Sequence, residues 1–247
     1  MSNEVTDQGR CPVYVSVPFR RDWLEAGQIG SGRDCLKDDR DYEPAAFQGD
    51  VEAARRVVGY CLQRAYLANL RIQLTRLKED YGIEPILVAS YKRGSQNMLA
   101  RTMAQKLADE FGLTYDESIV TISDVSQKSL SKIERIFNAP AFEGSIRKGA
   151  HYVIVDDYID SGGTMAKLAS YIEENGGHVL FGCALSSVNG QSSFLKPSAG
   201  QLTQLTKQLS RCLVNYLTSR IGSLNNLSYA QVAYLLTPSG TQALRAR

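Results

Sequence analysis

The stretch Tyr152-Val-Ile-Val-Asp-Asp-Tyr-Ile-Asp-Ser-Gly-Gly-Thr164 decides how this chain folds. It opens with four apolar residues, three of them β-branched, which is typical of a strand buried on both faces of a parallel sheet. Asp156 and Asp157 follow where this strand is predicted to end, and a turn of small residues then leads into a segment with helical spacing of apolar side chains. Ligands of open parallel sheets bind beyond the carboxyl ends of the strands, so the stretch predicts a binding site there.

The turn after the two acids, residues 160–164, has the composition of a phosphate site and is called the phosphate turn below. Gly162 and Gly163 permit a tight turn, and the first amides of the following helix have no intrahelical partner. That helix end carries partial positive charge, and the hydroxyls of Ser161 and Thr164 add donors for phosphate oxygens. The nearby carboxylates suit sugar hydroxyls or a hard divalent cation. The residues therefore predict a site for a phosphorylated sugar, with an ordinary strand-to-helix turn as the alternative.

The same thirteen residues resemble the phosphoribosyl pyrophosphate (PRPP) motif of type I phosphoribosyltransferases. That motif has four hydrophobic residues, two acids, two hydrophobic residues and a small-residue phosphate loop. The segment 159–164 is most similar to the purine-salvage version, in which Asp occupies the first loop position. Tyr158 departs from the pattern, since a smaller aliphatic residue is usual there, and this departure concerns the shape of the nearby acceptor pocket.

The resemblance implies roles for individual residues. The 5′-phosphate would bind to Asp160, Ser161, Gly162, Gly163 and Thr164. The catalytic residues would be Asp156, Asp157 and Asp160, with Asp160 accepting a proton from the base. Asp156 and Asp157 would also contact Mg²⁺, directly or through water, and hold the ribose hydroxyls.

A second candidate loop follows the predicted strand at 86–89. This basic loop, residues 90–94, consists of Ser90, Tyr91, Lys92, Arg93 and Gly94. It lies between a strand and a helix, so its amides can face an anion, and Lys92 and Arg93 add positive charge. In the resembled family this is the pyrophosphate loop, and the Tyr-Lys pair is similar to that of orotate-type members. A solvated basic turn is the alternative.

Residues 123–148, the cover segment, lie where the resembled fold usually carries a flexible cover. Lys128, Lys132 and Arg135 have helical spacing and would close onto the diphosphate, whereas a solvated helix face is the alternative. The spacing in this segment also resembles the ComF group, a phosphoribosyltransferase-like branch associated with DNA uptake. That likeness is carried by Gln127, Leu130, Glu134, Arg135, Asn138, Ala141 and Phe142, and Asp124 departs from it because a basic residue is common there.

Strands and helices alternate along the rest of the chain, which favours a parallel sheet with right-handed crossovers. Strands are predicted at 13–17, 86–89, 118–122, 151–155 and 178–185, and helices at 51–81 (one or two), 96–111, 163–175, 202–221 and 228–236. The fold class is therefore α/β: by resemblance, a Rossmann-like parallel-sheet phosphoribosyltransferase core with added N-terminal and C-terminal helical segments. The predicted division is an N-terminal hood or arm at 1–82, the core at 83–190 and a C-terminal helical extension at 191–247.

Composition restricts the possible functions. A net charge of +2, from 28 basic and 26 acidic residues, argues against a dedicated nucleic-acid binder. No apolar run approaches the roughly 20 residues that cross a membrane, and the polar first residues lack a signal-peptide core. Five scattered cysteines without a CxxC pair favour reduced thiols in a cytoplasmic protein over disulfides or a zinc site.

These observations lead to a main hypothesis and an alternative. The main hypothesis is an enzyme of nucleotide metabolism, a phosphoribosyltransferase (a pentosyl-transferring glycosyltransferase) that uses PRPP or a nucleoside monophosphate with Mg²⁺ and a nitrogenous base. The alternative is a regulatory protein of the same fold that binds PRPP or nucleotides without turnover, with a ComF-like link to DNA processing. The resemblance and the apolar helix stripe at 202–221 suggest a homodimer. No motif identifies the acceptor base.

Overall fold

The computed structural model describes residues 12–15, 39–122, 130–187 and 193–247. In these ranges the strands are β1 (Pro12–Val15), β2 (Ile86–Ala89), β3 (Thr114–Asp116), β4 (Val120–Thr121), β5 (Phe142–Glu143), β6 (His151–Ile159), β7 (His178–Ser187) and β8 (Ser193–Phe194). The helices are α1 (Tyr42–Phe47), α2 (Val51–Cys61), α3 (Arg64–Tyr81), α4 (Leu99–Phe111), α5 (Lys132–Phe137), α6 (Gly163–Glu174), α7 (Ala199–Gln208), α8 (Arg211–Ile221), α9 (Tyr229–Leu235) and α10 (Pro238–Arg245).

Six of these strands form the main sheet, in the order β3-β2-β6-β7-β1-β8. The first five are parallel, and β8 runs antiparallel to β1 at the edge. The predicted α/β class with a parallel core sheet is therefore confirmed. The N-terminal strand predicted at 13–17 forms over Pro12–Val15 and joins this sheet beside β7.

The prediction that a strand at 118–122 belongs to the core sheet is wrong. Residues 114–116 form the edge strand β3, whereas β4 pairs antiparallel with β5 in a separate two-stranded sheet. The run is apolar because Ile119 and Val120 are buried in the core, and not because they belong to the main sheet. The true edge strand is only half covered, with Thr114 exposed, so its sequence lacks the continuous apolar run of a central strand.

The helices begin and end close to the predicted positions. Gly82 and Gly112 stop α3 and α4 in the left-handed conformation that glycine adopts without strain, each with φ of 65°. The segment predicted as one helix or two over 51–81 forms two, α2 and α3, because Leu62 and Gln63 leave helical geometry.

The described C-terminal residues 193–247 contain four α-helices where two were predicted. The predicted helix at 202–221 divides into α7 and α8 because Leu209 and Ser210 adopt extended backbone. Pro238 was expected to follow the last helix, but it opens α10 instead, at a position where a missing N–H breaks no hydrogen bond.

Three groups of buried side chains hold the layers together. Leu87 and Val153 belong to the group on the α1–α4 side of the sheet, and Val88 and Ile154 belong to the group on the α6 side. The third group joins α5 to the C-terminal helices and contains Ile133, Ile136, Leu205, Leu209, Leu217, Leu227, Val232, Leu235 and Leu244. Helix α5, predicted as part of the cover segment, is therefore packed into the C-terminal helical layer.

Candidate active site

The two acids lie within β6, three and two residues before its last residue Ile159, and not at the predicted strand end at 155. Asp156 pairs with Ala184 of β7, and the ladder continues to Ile159. On its other side β6 loses its partner earlier, because β2 ends at Ala89 and the last bond there runs from the Ser90 amide to the Val155 carbonyl at 2.9 Å. The acids therefore occupy a strand that is paired on one side and open toward the basic loop on the other.

The two carboxylates have different surroundings. Asp156 is 8% exposed, and its Oδ1 accepts a hydrogen bond from the Asp157 amide at 2.9 Å. Burial, and then the charge of Asp157, raise the pKa of the Asp156 carboxyl well above its usual range. Asp157 is only half buried, and its Oδ2 accepts from Asn97 Nδ2 at 2.8 Å. The pair can thus hold a ligand that brings compensating positive charge.

Asn97 is a site residue that the sequence interpretation missed. Its Oδ1 accepts from the backbone N–H of Leu99 at 3.0 Å, and the backbone N–H of Asn97 donates to Ser95 Oγ at 3.1 Å. These bonds fix the side chain at the start of α4. The signal available in the sequence was an Asn at the start of a predicted helix, since Asn side chains commonly bond to backbone two residues on. Nothing in the sequence indicated that its amide would reach Asp157.

The phosphate turn forms a small cavity at the start of α6. Gly162 has a φ of +68° and is the residue before the first turn of this helix, so the left-handed backbone there requires glycine. The cavity has a volume of about 110 Å³. Its lining includes Asp156, Tyr158 and all five predicted phosphate residues, Asp160, Ser161, Gly162, Gly163 and Thr164. The structure thus brings one acid and the whole phosphate turn to a single enclosed space.

One of the three predicted cover residues reaches this cavity. Arg135 of α5 lines it, and its guanidinium forms an ion pair with the Asp160 carboxylate while its Nε donates to the Leu130 carbonyl at 3.0 Å. Lys132 lies elsewhere, with Nζ 5.6 Å from the centre of the Tyr234 ring. Lys128 lies outside the described residues, as do Gln127 and Asp124 of the ComF-like pattern.

The basic loop is anchored at its start, through the backbone of Ser90 and through Tyr91. Tyr91 donates from its hydroxyl to the Glu117 carbonyl at 2.9 Å, its carbonyl accepts from the Thr121 amide at 2.8 Å, and Arg101 stacks 4.9 Å from its ring centre. Lys92, Arg93 and Gly94 are exposed. None of the five loop residues lines the cavity of the phosphate turn. The loop instead follows the neighbouring strand β2 and leads to Asn97, which bonds to Asp157.

Two C-terminal residues also contact the phosphate turn, and the sequence interpretation assigned them no role there. The Ser228 hydroxyl donates to the Ser161 carbonyl, and Gln231 lines the cavity. The capping box that these residues form was visible in the sequence. Its placement against the phosphate turn was not, because it depends on how the C-terminal helices pack.

The acid pair offers a partial site for Mg²⁺. Among the described residues no group of three or more His, Cys, Asp or Glu side chains is arranged to hold a metal. Two carboxylates beside a phosphate turn nevertheless fit Mg²⁺, which typically takes one or two protein carboxylates and completes its shell with water and substrate phosphates. Asp156 and Asp157 are the residues that would contact it.

Comparison with known proteins identifies the family. The sequence model described as the phosphoribosyl transferase domain matches residues 63–197, more than half of the chain. The chain belongs to the type I phosphoribosyltransferase family. The matched residues include the basic loop, the acid pair and the phosphate turn, and they end before α7.

Individual relatives share between 15% and 35% of their residues with this chain over the aligned regions. Protein TraN of Escherichia coli is 29% identical over 224 residues, which cover 90% of this chain and 47% of TraN. An uncharacterized protein of Haemophilus influenzae is 35% identical over 77 residues, covering 31% of this chain and 17% of that protein. A crystal structure of adenine phosphoribosyltransferase is similar with a TM-score of 0.35 and 15% identity, over 58% of this chain and 74% of that one. The chain therefore spans less than half the length of the curated relatives it matches.

None of the described helices is long and apolar enough to traverse a membrane.

Proposed function

We propose that this protein transfers 5-phosphoribose between pyrophosphate and a nitrogenous base, using PRPP and Mg²⁺ or, in reverse, a nucleoside monophosphate. The observation that supports this most directly is the cavity in which buried Asp156 meets the complete phosphate turn. Membership of the family supports the reaction class. We also propose a homodimer in the cytoplasm as its working state.

Each half of the site would bind one part of PRPP. The amides of Gly163 and Thr164 at the start of α6, with the hydroxyls of Ser161 and Thr164, would bind the 5′-phosphate. Lys92 and Arg93 of the exposed basic loop would bind the pyrophosphate group. The acids of β6 lie between these loops along the sheet edge and would accept hydrogen bonds from the ribose hydroxyls.

In the reaction the bond between C1′ and a pyrophosphate oxygen breaks, and the electron pair leaves with pyrophosphate. The ribose gains oxocarbenium character, and a base nitrogen supplies the pair that forms the new C1′–N bond. Positioning and charge stabilisation would provide most of the acceleration. When bound, Mg²⁺ would neutralise charge on the leaving diphosphate. Asp160 would accept the proton lost by the base only after release from Arg135, with which it is paired.

The test is a pyrophosphate-release assay with PRPP, Mg²⁺ and a panel of purine and pyrimidine bases. Release above background with at least one base is expected for the unaltered protein, and the double variant Asp156→Asn/Asp157→Asn should abolish it. The matched control is Glu173→Gln/Glu174→Gln, which removes the same charge at the far end of α6. Undiminished release in the Asp variant would refute the assignment of the acids.

A regulatory protein that binds PRPP or a nucleotide without turnover is the second candidate. The Arg135–Asp160 ion pair favours it, because the residue proposed as proton acceptor is already engaged by the C-terminal helical layer. The same assay distinguishes the two functions. Stoichiometric PRPP binding, measured by calorimetry, with no pyrophosphate release from any base would select the regulatory function. A ComF-like connection to DNA processing would then be tested by adding DNA to the binding assay.

A further inference from the structure

Helix α9 lies against the phosphate turn although it is outside the family-matched residues 63–197. Ser228, the cap of this helix, donates from its hydroxyl to the Ser161 carbonyl. Gln231, one turn further, is only 5% exposed and lines the cavity that the phosphate turn encloses. A buried amide side chain at such a place needs hydrogen-bonding partners, since burying one without them is costly.

The orientation of the Gln231 amide follows from its capping box. Its Oε1 accepts from the backbone N–H of Ser228 at 2.9 Å, and the Ser228 hydroxyl accepts from the backbone N–H of Gln231 at 3.1 Å. The oxygen is therefore committed to the helix cap, and the NH₂ group is on the other side. Its Nε2 would lie 2.5 Å from a Cβ placed on Gly163, closer than either Oε1 or the carbonyl carbon of the amide. The donor thus faces the first residue of α6.

Donors of three kinds then converge on one small volume. The first amides of α6 carry the positive end of that helix, the hydroxyls of Ser161 and Thr164 line the cavity, and the Gln231 amide adds hydrogens that carry no formal charge. A phosphomonoester has three strong acceptor oxygens and suits such an arrangement. Buried Asp156 lies on the same cavity, where the hydroxyls of a sugar attached to the phosphate would meet it.

We propose that Gln231 is a phosphate-binding residue, by which the C-terminal helices complete the 5′-phosphate site of a ribose phosphate. The proposal rests on the proposed function and specifies it further. The capping box of α9 adds and orients a donor beyond those of the phosphate turn in the family-matched segment. Gly163 lacks a side chain because the amide occupies the space that a Cβ would need.

The sharpest variant is Gln231→Glu. Glutamate serves the capping box as well as glutamine does, so the helix start is retained while the donor becomes a carboxylate. The chain contains a matched control in α7, where Ser198 and Gln201 form the same capping box, with Oε1 accepting from the Ser198 amide at 3.0 Å, away from the cavity. Gln201→Glu makes the same chemical change without touching the phosphate turn.

The measurement is calorimetric affinity for ribose 5-phosphate and for PRPP, with thermal unfolding as the check on folding. Gln231→Glu is expected to weaken both by about tenfold or more, because a hydrogen bond to a charged group is lost and a like charge replaces it. Gln231→Ala, which adds no charge, should weaken binding by about threefold to tenfold. Gln201→Glu and Gln201→Ala should stay within about twofold of the unaltered protein.

Two results would overturn the proposal, and they are distinguishable. If the unaltered protein binds ribose 5-phosphate and PRPP but the Gln231 variants bind equally well, the role of Gln231 is wrong and the proposed function stands. If the unaltered protein binds neither compound, the proposed function fails and the role of Gln231 fails with it.

Discussion

The phosphate turn and the basic loop follow neighbouring strands of one sheet, yet the first is enclosed and the second is open. The phosphate turn lies under Arg135 of α5 and Gln231 of α9, and its backbone is fixed by Ser228. In the basic loop, Lys92 and Arg93 are exposed and follow a backbone that is anchored through Ser90 and Tyr91. We propose that this difference reflects a division of work, in which the phosphate turn holds the ribose phosphate and the basic loop receives the pyrophosphate that departs.

The largest effect should come from filling the enclosed half. Gly163→Ala places a methyl group 2.5 Å from Gln231 Nε2, so the end of that side chain must move away from the phosphate turn. Loss of a hydrogen bond to a charged group, worth about 1.5–3 kcal/mol, should then lower affinity for ribose 5-phosphate by about tenfold to 100-fold. Gly94→Ala is the comparison in the open half. Nothing lies within 4 Å of a Cβ added at Gly94, but its φ of +74° is unfavourable for any residue with a side chain. The free energy of unfolding should therefore fall by about 1–2 kcal/mol, while affinity for ribose 5-phosphate changes little. Equal losses of affinity in the two variants, measured by calorimetry, would contradict the comparison.

A smaller effect, limited to one ligand, is expected from the open half. Lys92→Ala/Arg93→Ala removes the charges proposed to bind pyrophosphate, so PRPP affinity should fall about tenfold. Ribose 5-phosphate lacks the diphosphate, and its affinity should stay within about twofold. Lys207→Ala/Arg211→Ala, which removes the same net charge from the C-terminal helices, controls for long-range electrostatics. Weaker binding of both ligands to the loop variant would show that the two halves are not separate.

The smallest effect concerns stability and compares the two acids. The pKa of Asp156 is raised above that of an unfolded chain, so its contribution to stability is complete below about pH 4 and is lost as pH rises through the raised pKa. Asp156→Asn removes that loss, so the ligand-free protein should melt about 2–4 °C higher at pH 8 and unchanged near pH 4. Asp157→Asn breaks the bond from Asn97 and should give no such gain. If Asp157→Asn alone raised the melting temperature, Asp157 and not Asp156 would be the acid whose ionisation destabilises the fold.

The sequence was sufficient for the parts that depend on local pattern. The turn at Gly162 and the helix after it form as the spacing predicted, and the motif strand forms but continues four residues beyond its predicted end at 155. Apolar runs and glycine act within a few residues, so the sequence alone reveals them. The family membership follows from the same residues and is confirmed. The roles given to single residues stay predictions, although the phosphate turn and Asp156 do meet at one cavity.

The parts that failed depend on partners distant in the chain. Strand β3 was missed because an edge strand with an exposed Thr114 carries no apolar run, and Ile119 suggested the wrong segment because burial by packing resembles burial in a sheet. Asn97 and Gln231 could not be found by spacing, since their contacts to Asp157 and Gly163 arise only when separate elements pack together. Pro238 stops a helix or starts one, and the local sequence does not distinguish the two.

The shared apolar interior of α5 and the C-terminal helices has a consequence for how this protein responds to its ligand. Arg135 and Gln231 reach the same cavity from segments almost a hundred residues apart, but the helices that carry them are bound to one another by Ile133, Val232 and their neighbours. A phosphoryl group held by both would stabilise this packed layer, because a ligand that binds only the native state stabilises that state against unfolding. Occupancy of the phosphate turn would therefore make α5 and α7–α10 harder to unfold together.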